Sequence, residues 1–137
     1  KALLLEYGEY PEQYRLEIWK RLLQLPTNSR AYMLLSERGV HPAFAEVAAH
    51  YPIQDETLLR RLAATWSALV HWCPLLAQVQ YLPAFAFPFT KIFGADQIGC
   101  FETVATILVN WAHNWFEMFP SPPLSMLHGV ERILECH

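Results

Sequence analysis

The amino-acid sequence predicts an all-α fold. Apolar residues recur at spacings of three and four along most of the 137 residues, which is the periodicity of helices that bury one face. Strand signals are nearly absent, because no Asn-Gly or Asp-Gly hairpin turn and no long alternation of apolar and polar residues occurs. Prolines and glycines separate the periodic stretches. We therefore expect a single helical domain of about seven helices.

The first predicted helix covers residues 11–25. Pro11 lies in the first turn, where a missing N–H is tolerated, and Pro26 cannot continue the helix. The spacing of the apolar side chains places four of them on one face. That face consists of Tyr14, Ile18, Leu22 and Leu25.

Two shorter helices are expected next. Thr27 or Asn28 is the N-cap candidate of the second helix, because both side chains can accept a backbone hydrogen bond, and Gly39 ends it. The third helix spans about residues 42–50 and is closed by Pro52.

The fourth predicted helix is long. Asp55 is its N-cap candidate, and Pro74 ends it. Its apolar face is formed by Leu58, Leu62, Trp66 and Leu69.

Three further helical segments follow. The fifth covers about residues 84–93 and is bent or started by Pro88. The sixth, residues 97–119, is rich in aromatic side chains, which favours a place in the core. The seventh begins at residues 121–123 and carries Leu124, Leu127, Val130 and Leu134.

The composition argues against several functional classes. The net charge is −3 without a block of like charge, so electrostatics gives no indication of a nucleic acid or an anionic membrane surface as partner. No apolar run reaches the ~18 residues of a membrane span, and we expect no membrane insertion. A glycine-rich phosphate loop, a G-x-S-x-G motif and an H-E-x-x-H motif are all missing. We expect neither a cofactor nor a metal site.

The three cysteines, Cys73, Cys100 and Cys136, do not follow the spacing of a disulfide framework. They are typical of reduced thiols in a cytoplasmic protein. We expect Cys73 and Cys100 to pack as small hydrophobic residues.

Four stretches, in order, resemble the TBC domain of Rab GTPase-activating proteins. YRLEIWKRLLQLP resembles the opening R-x-x-I/V-W-x-x-L-L of that domain, and LLRRLAATWSALVHWCP resembles the long helix before its Y-x-Q-G-M motif. YLPAFAFPFTKIF stands in the place of that motif and of the apolar helix that follows it. CFETVATILVNW resembles the helix that comes next in the family.

The resemblance covers nearly the whole chain, but only about the first two thirds of a typical TBC domain. It implies that residues 1–137 form the N-terminal two thirds of a TBC domain and that the chain is a fragment of a larger protein. Among the family, the chain is most similar to members that also carry WD repeats. Those members are linked with centrosomes and cilia, so the resemblance implies a cilium, flagellum or centrosome as location, besides the cytoplasm.

Active members of this family supply two groups to the GTPase site, as the resemblance implies. An arginine of I-x-x-D-x-x-R offsets the charge that develops on the transferring phosphoryl group, and the glutamine of Y-x-Q orients the attacking water. An arginine finger accelerates hydrolysis about 10³–10⁵-fold, which is roughly 4–7 kcal/mol of barrier.

This chain departs from the family at both positions. Matching residues 50–52 to the Thr-Phe-Pro that follows the family's arginine puts Ala49 in the arginine's place and Glu46 in the aspartate's. Tyr81 matches the tyrosine of Y-x-Q, and Pro83 replaces the glutamine. Alanine carries no charge, and proline has neither a side-chain donor nor a backbone N–H. We therefore predict no catalytic residue.

Three functions remain open from the sequence. The first is a catalytically deficient TBC domain, not itself an enzyme, that binds or scaffolds a Rab-type GTPase or other proteins. The second is an active GTPase-activating protein with surrogate cations. The third is a helical interaction scaffold without a GTPase partner. The candidate GTPase-binding residues are Glu46, Ala49, His50, Tyr81 and Pro83. The candidate surrogate cations are Arg60, Arg61, Arg38 and His50.

Surface composition separates the first function from the third. A retained GTPase groove is expected to expose apolar or aromatic side chains around Ala49 and Tyr81. A scaffold without a GTPase partner is expected to expose them elsewhere, for instance along residues 111–119.

Overall fold

The computed structural model describes residues 4–5, 8 and 11–135. Between residues 11 and 135 it contains seven α-helices, two 3₁₀ segments and no strand, which confirms the all-α prediction. The helices are α1 Glu12–Leu22, α2 Ser29–Ser36, α3 Phe44–His50, α4 Glu56–Trp72, α5 Leu82–Phe93, α6 Gln97–Asn110 and α7 Leu124–Glu135. The 3₁₀ segments are Pro74–Gln78, between α4 and α5, and His113–Met118, between α6 and α7.

Helix α4 lies at the centre of the fold. It contacts α2, α3, α5, α6 and the first 3₁₀ segment. Leu62, Trp66 and Leu69, three of the four residues of its predicted apolar face, are buried. The length of this helix and its wide apolar face explain why the other helices assemble around it.

Local side-chain chemistry determines where three helices begin. The Asn28 side chain accepts a hydrogen bond of 3.0 Å from the Ala31 N–H, so the N-cap of α2 is Asn28 rather than Thr27. Asp55 accepts from two N–H groups at the start of α4, and Asp96 accepts from one at the start of α6. Such caps satisfy N–H groups that have no partner within the helix.

Helix α1 ends earlier than predicted. Gln24 adopts a left-handed backbone conformation with φ 52°, and the Leu25 N–H bonds back to the Lys20 carbonyl, so the chain leaves the helix before Pro26. Two residues of its predicted apolar face lie outside the core, since Tyr14 is 54% and Leu22 65% exposed.

The predictions for α5 and α6 need correction. Helix α5 starts at Leu82, earlier than expected, and continues through Pro88. Because Pro88 has no backbone N–H, the carbonyl of Ala84 has no partner within the helix. Both residues are exposed, so water can bond to that carbonyl. The expected single helix over residues 97–119 is wrong. It ends at Asn110, because the Ala112 N–H bonds to Ile107 O and widens the last turn before the second 3₁₀ segment.

Helix α7 has an exposed apolar side. Its apolar residues were predicted correctly as a helical face, but none of its residues is buried. Among the described residues, no helix is long and apolar enough to cross a lipid bilayer.

Candidate functional site

A cavity of about 350 Å³ lies between α3, α4, the first 3₁₀ segment and the start of α5. We call it the α3–α5 cavity. It contains both segments in which the resemblance places catalytic groups. Its walls are formed by Ala43, Glu46, Val47, His50, Tyr51, Trp66, Ala77, Val79, Gln80 and Pro83.

Aromatic packing positions helix α3 at this cavity. The buried ring of Phe44 lies against Trp66 of α4, with the ring centroids 5.7 Å apart. Because residues at i and i+4 share a helix face, Glu46 and His50 both reach the cavity. Ala49 lies on the same helix but does not line the cavity, and it is exposed.

A hydrogen bond joins the two sides of the cavity. The Tyr51 hydroxyl, directly after α3, donates to the Gln80 carbonyl oxygen at 3.2 Å. Gln80 precedes α5, and both residues line the cavity. This bond holds the end of α3 next to the start of α5.

Pro83 closes one wall of the cavity with an apolar ring. It is almost fully buried and lies in the first turn of α5, following the N-cap Tyr81. The N–H groups of the first helical turn have no partner within the helix, so a proline here costs no hydrogen bond. Pro83 therefore fits the start of α5 without a break in the helix.

His50 is oriented by its own helix. Its Nδ1 lies 2.8 Å from the Glu46 carbonyl oxygen, and this contact is a hydrogen bond only if Nδ1 carries the proton. The other ring nitrogen, Nε2, has no hydrogen-bond partner among the residues that the structure describes. His50 is exposed at the mouth of the cavity.

Tyr81 lies outside the cavity. Its ring packs against Trp115 of the second 3₁₀ segment at 6.3 Å between centroids, and burial raises the pKa of its phenol. The tyrosine of the Y-x-Q-like stretch thus serves packing in this chain.

The predicted surrogate arginines Arg38, Arg60 and Arg61 also lie away from the cavity. The Arg60 Nε donates to the Glu56 carbonyl oxygen at 3.3 Å on the exposed side of α4. One guanidinium nitrogen of Arg61 lies beside Gly94, 3.9 Å from the place that a Cβ would take there. The structure therefore brings Glu46, His50 and Pro83 together, whereas Ala49, Tyr81, Arg60 and Arg61 do not line the cavity.

Seven of the ten cavity residues carry no functional prediction from the sequence, among them Tyr51, Trp66 and Gln80. Trp66 was predicted only as part of the apolar face of α4, and it is indeed 1% exposed. Its indole Nε1–H, however, is buried and has no hydrogen-bond acceptor among the residues that the structure describes. A tryptophan on an apolar helix face does not reveal from sequence whether its N–H finds a partner.

The electrostatics of the cavity differ from those of a phosphate site. None of its lining residues is a lysine or arginine, and Glu46 contributes a carboxylate. A developing negative charge on a phosphoryl group would meet no fixed cation here.

A second, apolar groove lies on another side of the molecule. Its volume is about 510 Å³, and it runs between the C-terminal end of α4, the first 3₁₀ segment and the end of α6. Its exposed apolar residues include Trp72 (46% exposed), Leu75, Val109 and Phe119. By contrast, none of the α3–α5 cavity residues is a large exposed hydrophobic residue, so the exposed apolar side chains expected of a GTPase groove are not found at this cavity. Exposed Trp111 and Phe119 instead match the pattern expected of a scaffold.

Proteins named for the TBC domain family match the chain over its whole length, which supports its assignment to that family. "TBC1 domain family member 31" of Bos taurus and that of Homo sapiens are each 47% identical to it over 137 residues. The Xenopus tropicalis protein of the same name is also 47% identical. The chain spans 13% of the length of these relatives. No family model and no solved structure matches.

Proposed function

We propose that this chain is a TBC-type domain that has lost GTPase-activating catalysis and works as a binding or scaffolding module for a Rab-type GTPase. One observation carries the proposal. The cavity that contains the family's two motif segments is lined by Glu46 and Pro83 and by no lysine or arginine.

The charge balance argues against catalysis at this cavity. Phosphoryl transfer needs positive charge near the γ-phosphate, and an arginine finger supplies about 10³–10⁵ in rate. Ala49 offers only a methyl group in the finger's place, and Glu46 would oppose the developing charge. The positions of Arg60 and Arg61 give no support to a surrogate finger.

The retained geometry supports binding. The Phe44–Trp66 packing and the Tyr51–Gln80 hydrogen bond keep α3 and the start of α5 together. A protein partner can therefore contact both segments at once, although neither offers a catalytic group.

The test is capture of Rab GTPases by the full-length protein. We expect it to retain at least one GTP-loaded Rab from a panel, and Glu46→Lys to weaken that capture. Glu131→Lys, on the exposed helix α7, is the matched control and leaves it unchanged. Equal capture by the Glu46→Lys variant would exclude the α3–α5 cavity as the contact.

A second function is favoured by the apolar groove. Exposed Trp72, Leu75 and Val109 form the kind of surface that binds proteins, and aromatic residues dominate such contacts. In this case the chain is a scaffold without a GTPase partner. Trp72→Ala would then abolish capture of its protein partners, while Glu46→Lys would not.

The location is part of the same proposal. The resemblance to WD-repeat-bearing TBC proteins leads us to expect the protein at the centrosome or the cilium. Imaging of the tagged full-length protein beside a centriole marker tests this. A uniform cytoplasmic distribution would contradict it.

A further inference from the structure

We propose that a cavity between α2 and α6 binds the trimethylated ammonium group of a lysine side chain in a protein partner. This cavity has a volume of about 330 Å³ and is lined by residues of both helices, by residues just before α2 and by Trp72 at the end of α4. We call it the α2–α6 cavity. It shares no lining residue with the α3–α5 cavity, so the inference goes beyond the proposed function and does not depend on it.

Three aromatic rings line the α2–α6 cavity. Tyr32 and Trp72 each contact Phe101, with ring centroids 5.6 Å and 6.3 Å apart and ring planes at 50° and 88°. The Tyr32 hydroxyl donates to Gln97, which does not line the cavity. Trp72 is the most accessible of the three rings, since it is 46% exposed. A cation beside aromatic faces is attracted by their quadrupoles, and tryptophan attracts it most strongly.

The α2–α6 cavity also carries a negative charge. Glu102 lines it and is 6% exposed. No ion pair joins this carboxylate to a lysine or arginine in the part of the chain that the structure describes. None of the described residues that line the cavity is a lysine, arginine or histidine. The cavity therefore favours a cationic ligand over an anionic one.

The acceptors at the cavity are largely occupied already. The Glu102 Oε1 accepts from the Asn28 N–H and the Oε2 from the Thr27 N–H, and the Asn28 side chain accepts from the Ala31 N–H. An unmodified lysine ammonium has three N–H donors, and its burial without acceptors is costly. Trimethylation removes these donors and keeps the positive charge. A trimethylated ammonium therefore suits this cavity better than an unmodified one.

A lysine side chain fits the cavity better than the choline of a lipid headgroup. In phosphocholine a phosphate lies close to the ammonium, and it would meet the charge of Glu102 without a lysine or arginine on the cavity walls. In trimethyl-lysine an apolar stem precedes the ammonium. The apolar side chains of Leu35, Ala105 and Val109 line the cavity and suit that stem.

The test is isothermal titration calorimetry of the full-length protein with four small probes. Three are N-acetyl amides, namely those of trimethyl-lysine, of lysine and of the neutral analogue of trimethyl-lysine that ends in a tert-butyl group. The fourth is phosphocholine. We expect the trimethyl-lysine probe to bind saturably and at least about tenfold more tightly than each of the others.

Variants assign the binding to the α2–α6 cavity. Trp72→Leu keeps an apolar side chain but removes the ring, so the affinity for the trimethyl-lysine probe is expected to fall about tenfold. Glu102→Gln keeps an acceptor oxygen but removes the charge, and it should reduce the preference for this probe over the neutral analogue. Tyr14→Leu, at an exposed aromatic residue of α1 outside the cavity, is the matched control and leaves the affinity unchanged.

Three results would overturn the inference. Affinity for the lysine probe or the neutral analogue equal to that for the trimethyl-lysine probe would mean that the cavity does not recognise a methylated cation. Phosphocholine binding as tight as that of the trimethyl-lysine probe would make a lipid headgroup the ligand. Absence of saturable binding of the trimethyl-lysine probe would show that the cavity is no site for it.

Discussion

The Tyr51 hydroxyl donates a hydrogen bond of 3.2 Å to the carbonyl oxygen of Gln80. The two residues are 29 positions apart in the chain, and each lies next to a segment that supplies a catalytic group in active TBC domains. The bond ties these two segments together. In the proposed function, Ala49 and Pro83 stand in place of the catalytic groups, so the account separates the scaffold of the site from its chemistry.

Tyr51→Phe tests the structural part of this statement. We expect it to lower the free energy of unfolding by about 0.5–1.5 kcal/mol, the usual contribution of one hydrogen bond. Urea denaturation measures the change. Tyr14→Phe, on the exposed side of α1, is the matched control and is expected to change the stability by less than about 0.5 kcal/mol. Equal effects would show that the Tyr51–Gln80 bond contributes nothing.

Glu102 of α6 anchors the start of α2. Its carboxylate accepts hydrogen bonds from the Thr27 N–H at 3.0 Å and the Asn28 N–H at 2.6 Å, and the side chain is buried. Glu102→Ala removes both bonds and leaves two N–H groups without a protein acceptor. We expect a loss of about 2–4 kcal/mol in the free energy of unfolding.

The matched control for that substitution is Glu131→Ala on exposed helix α7, with an expected change below about 0.5 kcal/mol. Glu102→Gln keeps an acceptor oxygen, so we expect its loss of unfolding free energy to lie between those of Glu102→Ala and Glu131→Ala. A Glu102→Ala variant as stable as the parent would contradict the anchoring role.

The Lys20–Asp96 ion pair makes stability depend on pH. Burial alone would raise the pKa of Asp96, but hydrogen bonds from Lys20 (2.7 Å) and the Gly99 N–H outweigh it and lower the pKa below its ordinary 3.8. A carboxyl whose pKa is lower in the folded state stabilises the fold above its unfolded-state pKa. That stabilisation is lost as the pH falls through the lowered value.

Unfolding measured by urea at several pH values tests this. The Asp96→Asn variant keeps a capping oxygen for Gly99 but has no charge to titrate, so its stability should fall less than that of the parent as the pH drops below 3.8. Lys20→Met removes the partner and should reduce the same pH dependence. If the unfolding free energies of the parent and of Asp96→Asn changed equally with pH, the Asp96 carboxyl would not be the source of the pH dependence.

Cys100 should resist alkylation in the native state. Burial raises the pKa of its thiol to about 11, so little thiolate exists near neutral pH. Cys73 is partly exposed at the apolar groove. We expect iodoacetamide at pH 8 to modify Cys73 and spare Cys100 until urea unfolds the chain, as read by peptide mass spectrometry. Modification of Cys100 at the rate of Cys73 would contradict its burial. Cys136 lies outside the described residues.

The sequence revealed those features that depend on neighbouring residues. The caps Asn28 and Asp55 follow from side chains that bond to N–H groups two or three positions later. The buried face of α4 follows from its periodicity. The break after Asn110 was missed because the apolar and aromatic pattern continues across it, and periodicity does not record where a helix turns into a 3₁₀ segment.

Only part of the candidate site could be predicted from the sequence. Resemblance singled out Glu46 and Pro83, and the structure brings both to one cavity. Trp66 and Gln80 were not found, because a cavity arises from the packing of distant segments and leaves no local signature. The same holds for Arg61, whose position beside Gly94 depends on how α4 meets α5.

The most direct measurement of the central claim is GTP hydrolysis by a panel of Rab GTPases in the presence of the full-length protein. The Ala49→Arg, Pro83→Gln double variant runs beside it, with Ala49→Leu, Pro83→Ala as the control for altered packing. The account predicts no acceleration by the unaltered protein and acceleration by the double variant alone. Acceleration by the unaltered protein would contradict it.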